Sequence, residues 1–168
     1  NLIKNTLRGV GPSGSGIQAG FQYWSTATIT ITNNTIIGVD NYGIKIYNNN
    51  GGDESQTVNI TNNSIVDTGR TALYLYHEPV HINVSYDRLH DNNASNNSQV
   101  HASAIYSQNS ANQTIEYNTV TGGDDTPADI PLVYSRGYPT FRYNNFIRDT
   151  ETYLFTDVNS ANSTSTNT

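Results

Sequence analysis

The chain contains no cysteine and no methionine, only 13% of its 168 residues are charged, and only 35% are hydrophobic. Without cysteine, disulfides and thiolate metal sites are excluded. Lys and Arg number 8 against 14 Asp and Glu, a net charge of -6, and the few cations are scattered. That balance excludes a nucleic-acid partner, because phosphate binding needs clustered positive charge. No run of 18 apolar residues is present, so membrane insertion by a helix is excluded. No stretch of ten residues keeps a 3.6-residue apolar period, which disfavours a helical bundle. The missing initiator Met and the lack of a leader-like N-terminus predict that the numbered chain starts inside a longer precursor.

What is present argues against disorder. Low hydrophobicity alone would suggest it, but 12 Tyr and many Ile and Val sit beside the scarce charge. An elongated solenoid with a thin core reconciles the two. Its signature is a repeated phrase of apolar, two residues, Asn, one residue, apolar. It occurs as Ile31, Asn34, Ile36; Ile60, Asn63, Ile65; Val84, Asp87, Leu89; Ile115, Asn118, Val120; and Phe141, Asn144, Phe146, with an opening copy read at Asn1 and Ile3. A second phrase follows each, as in Gly43-Ile44-Lys45-Ile46 and Ala72-Leu73-Tyr74-Leu75, and a third alternation leads on, as in Thr28-Ile29-Thr30-Ile31. Three short period-2 strands per coil describe an all-β, right-handed parallel β-helix of about six coils over residues 1–157. Residues 158–168, rich in Ser, Thr and Asn, read as a linker or tail. The repeated Asn is expected at a tight, left-handed corner, bonded to its counterparts in an internal ladder of Asn1, Asn34, Asn63, Asn118 and Asn144 with Asp87 as a substituted rung.

The coils Ile29–Ile46 and Val58–Leu75 resemble those of the pectate-lyase-like β-helix superfamily, and the likeness extends to about Asp157. Its motif is structural and implies a fold shared by lyases, hydrolases, epimerases and surface proteins. More narrowly, the Asn-rich coils, the sequons and the Ser/Thr tail resemble disaggregatase-related surface proteins of methanogenic archaea, which implies action on a uronate-containing matrix polysaccharide. No family catalytic residue maps onto this chain. Eight N-x-Ser/Thr sequons, at Asn33, Asn59, Asn62, Asn83, Asn93, Asn96, Asn112 and Asn162, suit a secreted or cell-surface protein, although an Asn-, Ser- and Thr-rich chain also makes sequons by chance.

Outward positions of the second phrase read Gln18, Lys45, Tyr74 and Tyr106, a row that would follow a sugar chain, since aromatic faces stack on pyranose rings. The alternative is a solvated sheet face in which Tyr is favoured by β propensity. Arg136 would grip a further carboxylate, and Trp24 is either a sugar platform or a cover for the end of the core. For hydrolysis, which needs two carboxyls, the candidates are Asp67 with Asp124 or Asp125, although Asp also simply caps turns. For β-elimination, Arg70 and His77 join Lys45 and Tyr74 as cation and base. No cofactor is expected; calcium is the one ion for which oxygen ligands are at hand, at Asp124, Asp125 and Asp129 or in the turn Gly51-Gly52-Asp53-Glu54. The expectation is an extracellular domain that degrades an acidic matrix glycan, as hydrolase or lyase. Its rival is a non-catalytic carbohydrate-binding or adhesion module, and a third reading is a ligand-free stalk. The open ends of so short a solenoid are expected to be capped by further sequence of the precursor or by another subunit.

Overall fold

In a computed structural model of the protein, residues 2–3, 5–9, 14–21, 26–48, 56–76, 80–92, 103–108, 113–122, 131–137, 139–147 and 155–157 are described. Among the described residues, eighteen short strands form three parallel six-stranded sheets, each coil giving one strand to each sheet in turn. The first sheet stacks Leu2–Ile3, Thr28–Thr32, Gln56–Thr61, Val80–Ser85, Gln113–Glu116 and Thr140–Arg142. The second stacks Thr6–Arg8, Thr35–Val39, Ser64–Thr68, Arg88–Asn92, Thr119–Thr121 and Asn145–Ile147. The third stacks Ile17–Phe21, Ile44–Asn48, Leu73–Tyr76, Ile105–Gln108, Val133–Arg136 and Phe155–Asp157. Six coils and three strands per coil follow from the repeat, because a period-2 alternation can bury one set of side chains only if every strand keeps the same face inward.

The core is a set of apolar columns in strict register. Ile31, Ile60, Val84, Ile115 and Phe141 form one, paired Ile31 to Ile60, Ile60 to Val84, Val84 to Ile115 and Ile115 to Phe141. Ile36, Ile65, Leu89 and Val120 form the second, and Ile44, Leu73, Ile105 and Val133 the third. All of these are at most 1% exposed. Burial of each such side chain contributes about 1.5–3 kcal/mol, which is how a chain with few apolar residues sustains the fold.

The corner between the first and second sheets carries the Asn ladder. Both the backbone and side-chain nitrogens of Asn34 donate to Asn63 Oδ1, at 3.0 and 2.9 Å, and those of Asn118 donate to Asn144 Oδ1, both at 3.0 Å. Two details differ from the sequence reading. The first rung is Asn5, not Asn1: its backbone and side-chain nitrogens both donate to Asn34 Oδ1 at 3.0 Å. The opening phrase is therefore Leu2, Asn5, Leu7, set by the pairing of Leu2 with Ile31 and Leu7 with Ile36. The left-handed residue is also the one before the rung, at Asn33, Asn62, Tyr86, Tyr117 and Tyr143, with φ of 56 to 60°. The rung itself has its amide turned inward, where the ladder satisfies it.

A second left-handed site lies within the second sheet, at Gly38 (φ 64°) and Asp67 (φ 57°). The pairing runs from Ile37 and Val66 straight to Val39 and Thr68, so Gly38 and Asp67 bulge outward. A Cβ on Gly38 would meet nothing closer than Asp67 Oδ2 at 3.7 Å. Substitution there is decided by backbone preference alone. Gly38→Ala is expected to lower stability by about 1 kcal/mol and Gly38→Asn by much less, as urea unfolding would measure. Equal losses would refute the account.

Candidate functional site

The outer face of the third sheet carries two parallel rows of side chains. The pairings align Gln18, Lys45, Tyr74, Tyr106 and Tyr134 in one row, and Gly20, Tyr47, Tyr76, Gln108 and Arg136 in the other. Strand spacing places successive members ~4.8 Å apart, which suits ring stacking. Tyr74 lies 4.9 Å from Tyr106 with planes 6° apart, and Tyr106 lies 5.2 Å from Tyr134 at 3°. Tyr42, at the corner that precedes the third sheet, adds a ring 4.5 Å from Tyr74, and Tyr76 another at 5.7 Å. The sequence reading named Tyr74 and Tyr106 but passed over Tyr42, Tyr47, Tyr76 and Tyr134. Tyr47 and Tyr76 were detectable, since they stand two residues after Lys45 and Tyr74 and so share their face.

Lys45 anchors one end of the aromatic run. Its Nζ is 5.4, 5.1 and 5.8 Å from the centroids of Tyr42, Tyr47 and Tyr74, so three rings surround one ammonium. Gln18 Nε2 donates to the Tyr47 hydroxyl at 3.4 Å. Gly20 makes that arrangement possible: a Cβ there would come within 2.8 Å of the Tyr47 ring. Gln18, Lys45, Tyr47, Tyr74 and Tyr76 line an open groove of about 440 Å³. Arg136 is exposed at the other end of the second row, paired with Gln108.

Two phenols of this face, those of Tyr74 and Tyr106, stay protonated. Burial pushes the Tyr74 hydroxyl well above the usual tyrosine range, and the neighbouring Tyr42, Tyr106 and Tyr76 add to it. Burial likewise pushes Tyr106 up to about 12, reinforced by Tyr134 and Tyr76 and partly offset by Arg136. These groups donate hydrogen bonds and do not serve as bases near neutral pH. Tyr106 is 2% exposed, its ring held between Tyr74 and Tyr134 and its hydroxyl donating to Gln108 Oε1. Its part in this face is to hold the rings on either side.

The other candidates are dispersed. Asp67 is exposed on the second sheet, with a left-handed backbone. Arg70 is half-buried at the corner between the second and third sheets, where its backbone N–H donates to the Asn41 carbonyl at 3.0 Å and its carbonyl accepts from Thr68 Oγ1. Neither lines the groove. His77, Asp124, Asp125 and Trp24, and both turns considered for calcium, lie outside the described residues. Among the described residues no three of His, Asp and Glu converge as metal ligands would. The groove thus brings together three sequence-predicted residues, Gln18, Lys45 and Tyr74, with Arg136 and Tyr106 on the same sheet face.

A family model described as "Right handed beta helix region" matches residues 4–168. No curated protein and no solved structure matches the chain, so the narrower resemblance to disaggregatase-related proteins rests on the coils, the sequons and the Ser/Thr tail alone.

Proposed function

The chain belongs to the right-handed β-helix family, and from that premise we propose that it is an extracellular domain that binds an acidic polysaccharide along the outer face of its third sheet. The observation that carries the reading is the groove itself: three tyrosine rings around Lys45, lined by Gln18, Tyr47, Tyr74 and Tyr76, with no carboxylate among the described lining residues. Apolar ring surface and fixed hydrogen-bond donors suit a sugar chain. Lys45 and Arg136, in a chain of net charge -6, supply the local attraction that a uronate carboxylate needs.

Cleavage is the second reading, favoured by one contact. Lys45 beside Tyr74 would neutralise a uronate carboxylate and protonate a leaving oxygen, while a base would have to come from outside the described groove. Surface location follows from the same proposal.

Isothermal titration with a glucuronate-rich polysaccharide and with its carboxyl-reduced, neutral form is the test. Tighter binding of the acidic form is expected, together with a roughly tenfold loss in Lys45→Ala, equivalent to about 1.4 kcal/mol. Equal affinity for the two forms, or no effect of Lys45→Ala, would overturn the assignment. In the same mixtures, new reducing ends with absorbance at 235 nm would identify β-elimination, and reducing ends without it hydrolysis.

A further inference from the structure

The corner before the ladder presents one continuous edge whose residues are Asn33, Asn62, Tyr86, Tyr117 and Tyr143, all left-handed. Tyr86, Tyr117 and Tyr143 are 60%, 44% and 59% exposed. Left-handed backbone costs a bulky residue on the order of 1 kcal/mol relative to Asn or Gly. The chain therefore bears strain in three successive coils to display rings that contribute little to the core. The rings stack on one another, Tyr86 on Tyr117 at 5.2 Å and Tyr117 on Tyr143 at 5.1 Å, so their inner faces are occupied. The outer face of Tyr86 is not covered by this stack. It looks toward the preceding coil, where the pairing of Ser85 with Thr61 and the bond from the Asn62 N–H to the Ser85 carbonyl place Asn62.

Asn62 opens the sequon Asn62-Asn63-Ser64. It is exposed, and its neighbour Asn63 carries the ladder, which leaves the Asn62 amide turned outward. The sequons at Asn59 and Asn83 differ: the Asn83 side-chain nitrogen already donates to Asn59 Oδ1 at 3.0 Å. Asn33, in Asn33-Asn34-Thr35, is exposed like Asn62 and lines an open depression of about 560 Å³ with Asn5, Thr6 and Thr35.

We propose that Asn62 is an N-glycosylation site whose first sugar packs against the free face of Tyr86, with the Tyr86–Tyr117–Tyr143 stack as its rigid backing. The sugar donor is a lipid-phosphate-linked oligosaccharide at the exporting membrane. The Asn62 amide nitrogen forms the new bond to the anomeric carbon, the bond from that carbon to the phosphate oxygen breaks, the lipid phosphate leaves, and the amide loses one proton. A pyranose face against a tyrosine ring buries apolar C–H surface on both, and an attached sugar pays little translational cost to reach it.

Peptide mass mapping of the protein purified from the cells that make it tests the attachment, and an unmodified Asn62 peptide would overturn it. The packing is tested by thermal unfolding of four exported proteins: wild type, Ser64→Ala, which removes the sequon, Tyr86→Asn, and the double variant. Asn stands at the equivalent corner in two other coils, so Tyr86→Asn keeps the backbone and creates no new sequon. Loss of the glycan by Ser64→Ala is expected to lower the melting temperature by a few degrees when Tyr86 is present and to change it little in Tyr86→Asn. The same shift in both backgrounds would refute the contact.

Discussion

Asp87→Asn is expected to make the protein more stable at neutral pH, by up to about 4 kcal/mol, and to leave it nearly unchanged at pH 4. Asp87 replaces an Asn in the ladder and is 2% exposed. Its Oδ1 does what an amide oxygen does, accepting from the Asn63 backbone and side-chain nitrogens at 2.6 and 2.8 Å. Its Oδ2 occupies the place of the amide nitrogen and is buried without a hydrogen-bond partner. In the other rungs that nitrogen donates to the next rung's oxygen and to a carbonyl of the preceding coil, as Asn63 does to Ile31 and Asn118 to Val84. By the same pattern Asp87 Oδ2 faces two acceptors, Asn118 Oδ1 and the Ile60 carbonyl. An ionised oxygen is repelled there, and a protonated one restores the missing donor.

Burial accordingly pushes the Asp87 carboxyl from its ordinary 3.8 up to about 7, against the opposing pull of the bonds from Asn63. The folded state thus holds a proton between pH 4 and 7 that the unfolded chain has released. This contribution is fully present below pH 4, is lost as pH rises toward 7, and stays lost above it. At ~1.4 kcal/mol per pH unit, the interval is worth on the order of 4 kcal/mol. An Asn supplies the donor at every pH. The gain from Asp87→Asn should therefore open between pH 4 and 7 and level off above, reaching on the order of 10 °C in melting temperature. A gain independent of pH, or a loss at pH 7.5, would show that Asp87 sits there ionised.

The ladder also shows how far the sequence was legible. A β-helix is written locally: each coil repeats the same alternation, and each inward column is visible as a residue type recurring at coil intervals. The columns through Ile31 and Ile36, and the outward row Gln18, Lys45, Tyr74 and Tyr106, followed from that periodicity alone. The opening coil was misread because Asn1 and Asn5 both precede an apolar residue two positions on, and only the register across coils distinguishes them. The left-handed corner was assigned to the rung itself because Asn is the usual occupant of that conformation. Tyr86, Tyr117 and Tyr143 hide the true position, since nothing in residue type predicts a tyrosine there. Burial separates Tyr106 from Tyr74 in the groove, and burial depends on what covers a strand, which alternation does not encode. Asp67, a catalytic candidate by composition, stands at a left-handed bulge, a backbone feature that a single coil cannot reveal.

Asn118→Leu should be among the most damaging single changes, costing on the order of 3–5 kcal/mol even though Leu keeps the branched heavy-atom skeleton of Asn. Asn118 is 1% exposed and joins three coils. Its Oδ1 accepts from the Asp87 backbone N–H at 2.8 Å, and its Nδ2 donates to Asn144 Oδ1 at 3.0 Å and to the Val84 carbonyl at 3.2 Å. Leu fills the space and leaves the Asp87 N–H buried with nothing to receive it, while both acceptors lose a donor. An orphaned buried polar group costs ~1–3 kcal/mol, far more than the net worth of a hydrogen bond exchanged with water. Asn5→Leu provides the comparison, because Asn5 makes the same kind of bonds to Asn34 but is exposed at the first coil, where water replaces what is lost. Its cost should stay near 1 kcal/mol. If urea unfolding with an unchanged m-value gave Asn118→Leu a loss as small as that of Asn5→Leu, about 1 kcal/mol, the amide column would be dispensable, and the stacked Ile, Val and Leu alone would hold the coils in register.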